Sequence, residues 1–151
     1  MALAPHLNAT MTEDKFIWKD EYSVGVQLMD EQHKIFFQMA NRVFDCLESK
    51  VINHDALINV INDLENYALY HLGMEEEYFN QFHYEEAANH IAVHNQYRET
   101  MKKLFNDARQ ENIDAKQTAQ KAALYAGNWL SQHILGMDKG YKRVFNDHGM
   151  S

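Results

Sequence analysis

The stretch AANHIAVHNQYRETMKKLF, residues 87–105, decides the fold of this 151-residue chain. Its apolar residues recur at intervals of three and four, as on the buried face of an amphipathic helix, and His90 and His94 interrupt that stripe. Residues four apart on an α-helix differ by only about 40° in direction, so the two imidazoles point to the same side. A buried pair of titratable side chains needs partners, which other segments must supply.

The composition favours long helices. Hydrophobic residues make up 46% of the chain and aromatic residues 12%, which excludes a disordered protein. There are only one proline and six glycines, and no β-branched run bounded by turn residues. The sequence therefore predicts an all-α fold.

Four segments show helical periodicity, and they span about residues 30–49, 53–82, 85–110 and 114–146. Asp30 and Asn53 are suitable N-caps for the first two. The links, near Val51, Tyr84 and Asn112, are short, so neighbouring helices should be antiparallel, as in an up-down-up-down four-helix bundle. We expect residues 1–15 to be a loose extension, 16–147 to be one domain and 148–151 to be a tail. Within that domain FIWKDEYSVGVQLM, residues 16–29, should form an extended arm with Trp18 and Val24 against the bundle.

Counting residues from the links shows that polar side chains on different helices share one height. His33 lies 18 residues before Val51 and His71 lies 20 after it, while Glu75 lies 9 before Tyr84 and His94 lies 10 after it. The same count, taken from Asn112, places His133 of the last helix at this height. Asp138 follows five residues later, so these two side chains should lie at the flanks of a face. The converging set is His33, His71, Glu75, His90, His94, His133 and Asp138.

Seven titratable groups without a lysine or arginine among them indicate a metal site, because imidazole nitrogen and carboxylate oxygen are natural metal ligands. Two octahedral ions that share one solvent-derived oxygen have twelve positions. The shared oxygen would fill two of these, two bridging carboxylates would fill four and five histidines would fill five, which leaves one position open. Zinc prefers four ligands, and calcium and magnesium prefer oxygen, so iron fits best, with manganese or cobalt left open. The chain lacks the Glu-x-x-His motif of ferritin-like sites.

The ordered motifs resemble the hemerythrins, especially the bacterial single-domain ones. These motifs are His33, HLGME (71–75), HIAVH (90–94) and HILGMD (133–138), with the lead-in WKDEYSVGVQLMDEQHK (18–34). The resemblance implies two iron ions with a bridging oxo or hydroxo group and O₂ as the ligand. It also implies that His90, His94 and His133 hold a saturated iron, that His33 and His71 hold the iron with the open position, and that Glu75 and Asp138 bridge. Side chains within a turn of the ligands would form a dry wall around O₂: Phe36, Leu72, Trp129, Leu130 and Ile134. Leu72 departs from the family, in which many relatives have an aromatic residue there.

The function expected from this resemblance is O₂ carriage, storage or delivery, not catalysis. The alternatives are a di-iron enzyme (a peroxidase, a ferroxidase or a nitric-oxide-handling protein) and a sensor of O₂ or iron that acts through a partner. O₂ itself and an oxygen-consuming recipient enzyme are the expected partners. A formal charge of −8 argues against nucleic acid, and no apolar stretch suggests membrane insertion. The single Cys46 favours a reducing compartment, the cytoplasm.

Several polar residues receive no role. His6, His54, His83 and His148 lie at the ends or links and should be solvated. Glu76 and Glu77 should point away from Glu75 into solvent, with support of a neighbouring ligand as the less favoured alternative for either. Cys46 should be a small core residue.

Overall fold

The computed structural model describes residues 15–110 and 115–151, and within them it is helical without a strand. Four long helices carry the fold: α1 (Gln27–Glu48), α2 (His54–Gln81), α3 (Ala87–Ala108) and α4 (Ala115–Gly136). A 3₁₀ turn at Asp138–Tyr141 and a short helix, α5 (Lys142–Asp147), follow, and another 3₁₀ turn at Asp20–Tyr22 precedes α1.

The long helices form a four-helix bundle, as predicted. Helix α1 packs against α2 and α4, and α3 packs against the same two neighbours, so each helix borders two others around one core. Apolar residues of every helix fill this core. No helix within the described ranges is long and apolar enough to cross a membrane.

The helix starts follow local capping chemistry. The Asn53 side chain accepts a hydrogen bond from the Ala56 amide at 3.2 Å, which is the predicted N-cap of α2. The prediction for Asp30 was wrong, because α1 begins three residues earlier, at Gln27. Asp30 instead accepts hydrogen bonds from the Ser23 hydroxyl at 2.5 Å and the Val24 amide at 2.8 Å, and thereby fastens the preceding loop.

The fourth predicted helix is also shorter than expected. It was to run to about Asn146, but α4 ends at Gly136 and Met137 leaves helical geometry with φ −131° and ψ −50°. The predicted start, Asp114, and the link residue Asn112 lie outside the described residues. This break matters for the site, because it turns Asp138 inward and makes it fully buried.

The arm before α1 lies against the bundle, as predicted. Val24 is buried and Trp18 is half-buried against the core. The Phe16 amide donates to Asn41 Oδ1 and the Phe16 carbonyl accepts from Asn41 Nδ2, both at 2.8 Å. The Phe16 ring stacks on Phe37 with the centroids 5.6 Å apart. Of the loose extension predicted for residues 1–15, only Lys15 lies within the described residues.

Gly127 leaves the space that the arm needs. A Cβ atom there would clash with the Phe16 ring, and the Asn41 hydrogen bonds hold the Phe16 backbone in place. We expect Gly127→Ala to displace the ring and lower the free energy of unfolding by about 1–3 kcal/mol, as overpacking does. Urea unfolding measures this.

Gly73→Ala is the control, since Gly73 is an exposed residue inside α2 with no atom within 4 Å of an added Cβ. Alanine should stabilise that helix by about 0.5–1 kcal/mol. Equal stability of the two variants would show that Phe16 does not need the gap at Gly127.

Candidate metal centre

All seven residues predicted to converge do meet in the middle of the bundle, and none is more than 5% exposed. Helix α1 supplies one of them, α2 two, α3 two, α4 one and the 3₁₀ turn the last. Their ligand atoms form two overlapping groups, each spanning less than 4.8 Å and each able to hold a metal ion. The three-histidine group comprises Glu75, His90, His94, His133 and Asp138, and the two-histidine group comprises His33, His71, Glu75 and Asp138.

The three-histidine group is compact. The Nε2 atom of His133 lies 2.9 Å from Nε2 of His90 and 3.1 Å from Nε2 of His94. Asp138 Oδ1 is 3.0 Å from Nε2 of both His90 and His133. Ligand atoms about 2.1 Å from an ion are about 3.0 Å apart at octahedral right angles and about 3.4 Å apart in a tetrahedron. These four distances lie near the octahedral value, while Glu75 Oε1 is 3.3 Å from Nε2 of His94 and 3.8 Å from Nε2 of His90.

The two-histidine group is more open. Nε2 of His33 lies 3.1 Å from Asp138 Oδ2 and 3.6 Å from Glu75 Oε2. Nε2 of His71 lies 3.4 Å from the same Glu75 oxygen. This group has one imidazole fewer than its neighbour, so an octahedral ion held here would have fewer protein ligands.

Both carboxylates face the two groups at once. Asp138 directs Oδ1 at His90 and His133, and Oδ2 at His33. Glu75 directs Oε1 at His94, 3.3 Å away, and Oε2 at His33 and His71. This orientation suits two carboxylates that bridge a pair of ions.

The atoms that face one another are not joined by a complete set of hydrogen bonds. Among the described residues, Nε2 of His33 and His71, Oε1 of Glu75 and both oxygens of Asp138 are buried without a hydrogen-bond partner. Their contacts across the centre are short, yet none of these atoms has a hydrogen-bond partner in the part of the chain that the structure describes. Such atoms are costly to bury unless a cation completes the site. The donor set therefore fits a pair of metal ions.

The electrostatics of the centre also favour bound cations. Burial alone would lower the pKa of His33, but Asp138 and Glu75 raise it to about 9. Burial also opposes the charge on Glu75, yet His71, His33 and His94 hold its pKa well below the usual range. Burial and Glu75 would raise the pKa of Asp138, but His133 and His33 lower it overall. The centre thus holds two carboxylates in their ionised form, and they attract positive charge.

Two further polar side chains around the centre received no such role from the sequence. Gln32 is buried, and its Oε1 lies 2.7 Å from Nδ1 of His71. The Tyr141 hydroxyl donates to Glu75 Oε2 at 2.6 Å. Both lie on the inner face of their elements, and their polarity at buried positions was the signal that could have identified them.

The prediction that Glu76 points into solvent was wrong. Its Oε2 lies 2.7 Å from Nδ1 of His94 and 2.8 Å from Arg98 Nη1, so the half-buried carboxylate holds a histidine of the centre. Burial would raise the pKa of Glu76, but His94 and Arg98 lower it overall. Helical spacing predicts the side of the helix on which a residue lies, but not where the end of a long flexible side chain lies. Residue counting therefore missed this contact. Glu77 is exposed, as predicted.

The side chains predicted to form the O₂ wall lie in or against the core. Four of them are fully buried: Phe36, Leu72, Leu130 and Ile134. Trp129 is half-buried and stacks on His133 with ring centroids 4.3 Å apart and planes at 14°. Phe36 meets His71 edge to face at 6.3 Å. Aromatic rings therefore contact a histidine of each group.

The remaining histidines lie away from the centre. His83 and His148 are exposed, and His54 is half-buried at the start of α2. His148 stacks on Phe82 at 4.3 Å. His6 lies outside the described residues. Cys46 is a free thiol, partly buried against the core, and burial raises its pKa.

Comparisons with known proteins agree with this architecture. The crystal structure of a wild-type hemerythrin superposes with a TM-score of 0.71 and 25% sequence identity, covering 85% of this chain and 96% of the hemerythrin. A bacteriohemerythrin of Clostridium acetobutylicum is 27% identical over 83% of this chain and 98% of its own length. One from Pseudomonas aeruginosa is 27% identical over 89% of this chain and 84% of its own.

A hemerythrin-like protein of the amoeba Naegleria gruberi is 26% identical over 90% of this chain and 98% of its own length. The sequence profile of the Hemerythrin HHE cation binding domain matches residues 24–145, which include every residue of both groups. With that match over most of its length, the chain belongs to the hemerythrin family.

Proposed function

We propose that this protein binds O₂ reversibly at a di-iron centre and serves in oxygen carriage, storage or delivery. The observation that carries the proposal is the pairing of two unequal ligand groups that share both carboxylates. An unequal pair leaves a vacant position on one ion, and a small ligand can bind there. The similarity to proteins named bacteriohemerythrin supports iron and O₂ as the metal and the ligand.

In this proposal each side chain has a defined task. His90, His94 and His133 would hold one ion, His33 and His71 would hold the other and leave a position for a small ligand, and Glu75 and Asp138 would bind both. When bound, two ferrous ions would supply one electron each to O₂ and recover both when it leaves. Tyr141 keeps Glu75 in place through its 2.6 Å hydrogen bond.

Reversibility depends on excluding water. Protons and water at the open position would favour loss of reduced oxygen and leave ferric iron behind. Phe36, Leu72, Leu130 and Ile134 are fully buried and would form the dry wall beside the two groups, with Trp129 against His133. Leu72 would make that wall less aromatic than in many relatives. Such a wall favours O₂ carriage over turnover, with delivery to an oxygen-consuming enzyme in the cytoplasm as the proposed setting.

The direct test is rapid mixing of the reduced, iron-loaded protein with O₂. We expect an oxygenated spectrum that persists and that disappears when argon removes the O₂, with the ferrous protein recovered. Metal analysis should give two irons per chain. Rapid conversion to the ferric form with turnover of added peroxide would contradict carriage and favour the enzyme alternative.

His71→Ala tests the open half of the centre. We expect it to lower iron from two to at most one per chain and to abolish the O₂-dependent spectrum. It should also destabilise the bundle by about 1–3 kcal/mol, since Gln32 loses the partner 2.7 Å away. His54→Ala, on the same helix, is the control and should keep two irons. Two irons and an unchanged O₂ spectrum in His71→Ala would refute the assignment.

Removing the metal should weaken the whole bundle. A chelator leaves buried lone pairs facing one another on all four helices, and it removes the stabilisation that a native-state ligand supplies by mass action. We expect the thermal midpoint to fall on chelation by more than about 5 °C and to recover when ferrous iron is restored. An unchanged midpoint would show that the cluster is satisfied without ions.

A further inference from the structure

We propose that Glu76, held by Arg98, makes the three-histidine group the position that binds the first metal ion, and that it acts through His94. This inference rests on the proposed metal centre but not on O₂ binding. Glu76 lies outside both ligand groups and is a positioning residue.

The first step is the state of the His94 ring. Its Nε2 faces the centre, 3.1 Å from Nε2 of His133 and 3.3 Å from Glu75 Oε1. Its Nδ1 lies 2.7 Å from Glu76 Oε2 on the opposite side. The ionised carboxylate can only accept, so Nδ1 carries a proton and Nε2 is the atom that would bind a metal ion. Glu76 therefore fixes both the tautomer and the direction of the ring.

The second step is the orientation of Glu76 itself. Arg98 Nη1 lies 2.8 Å from the oxygen that meets His94, and it also donates to Asn95 Oδ1 at 2.9 Å. The guanidinium is anchored on the same helix as His94, one turn further along. The Glu76 carboxylate, which extends from α2, is thus held against α3 before a metal ion binds. Metal binding therefore does not have to order this side chain.

The third step is the contrast between the two groups. His71 has a comparable hydrogen bond through its Nδ1, but the acceptor is the neutral amide oxygen of Gln32 at 2.7 Å. Nδ1 of His33 is buried without a partner among the described residues. A charge-assisted hydrogen bond is about twice as strong as a neutral one, and it makes the imidazole a stronger electron donor. The three-histidine group has the anionic partner in addition to its extra imidazole, so it should fill first.

The experiment uses the full-length metal-free protein, titrated with cobalt(II) under argon at fixed pH. Cobalt is a suitable probe because it accepts mixed nitrogen and oxygen ligands, and its visible absorption reports binding without O₂. The variants are Glu76→Gln, which keeps an acceptor but removes the charge, and Glu76→Ala, which removes both. Glu77→Gln is the matched control, because it removes the same charge from an exposed neighbour.

We expect Glu76→Gln and Glu76→Ala to weaken binding of the first cobalt by about 10–100-fold, the effect typical of losing a partner of a ligating histidine. Glu77→Gln should change it by about twofold or less, as surface substitutions do. Loss in Glu76→Ala alone would overturn the role of the charge, and equal affinities in all three variants would overturn the proposal. Circular dichroism of the metal-free variants separates loss of binding from loss of fold.

A second readout locates the first ion. In protein with ¹⁵N-labelled histidine, the first equivalent of cobalt should perturb the ring signals of His90, His94 and His133 before those of His33 and His71. The reverse order, or simultaneous change, would overturn the proposal. Ordered cobalt binding without a reversible O₂ adduct in the iron form would refute only the oxygen-carrier function. A reversible O₂ adduct with disordered cobalt binding would refute only this inference.

Discussion

One constraint shapes the whole bundle: the ligand atoms of five imidazoles and two carboxylates face one another inside an apolar core. The cluster takes at least one residue from each long helix, so the height and rotation of every helix are tied to a single region. Hydrophobic packing tolerates small shifts of one helix along another, whereas ligand atoms about 3 Å apart do not. A cation in each group would turn a costly burial of charge into a set of attractive contacts.

Counting from the links was enough to predict both the bundle and the convergence of its polar residues. His33 and His71 meet because short links force antiparallel neighbours, for which equal counts mean equal height. The same count placed Asp138 in the converging set but missed the break at Met137 that turns it inward. It also missed the contact of Glu76 with His94, which depends on the conformation of a long side chain. Neither the break nor the rotamer has a periodicity that a sequence could reveal.

The break after α4 allows His133 and Asp138 to face the centre together, which a continuous helix would not. Five residues along an α-helix turn the direction by about 140°, so His133 and Asp138 could not both face the centre. The 3₁₀ turn re-aims Asp138 until Oδ1 is 3.0 Å from His133 Nε2 while Oδ2 faces His33. The same turn places Tyr141 on Glu75, so one short irregular segment positions one carboxylate and fixes the other.

The two halves of the centre differ in more than the number of imidazoles. Nδ1 of His94 contacts the anionic carboxylate of Glu76, whereas Nδ1 of His71 contacts the neutral amide of Gln32. The histidines on the two sides would therefore not donate electron density equally to an ion. A strongly held ion on the three-histidine side would keep the bridging carboxylates fixed while the other ion gains or loses a ligand. The weaker donor set would then belong to the ion that must remain accessible. Such a division between a rigid anchor and an open position would suit the proposed reversible binding of a small ligand.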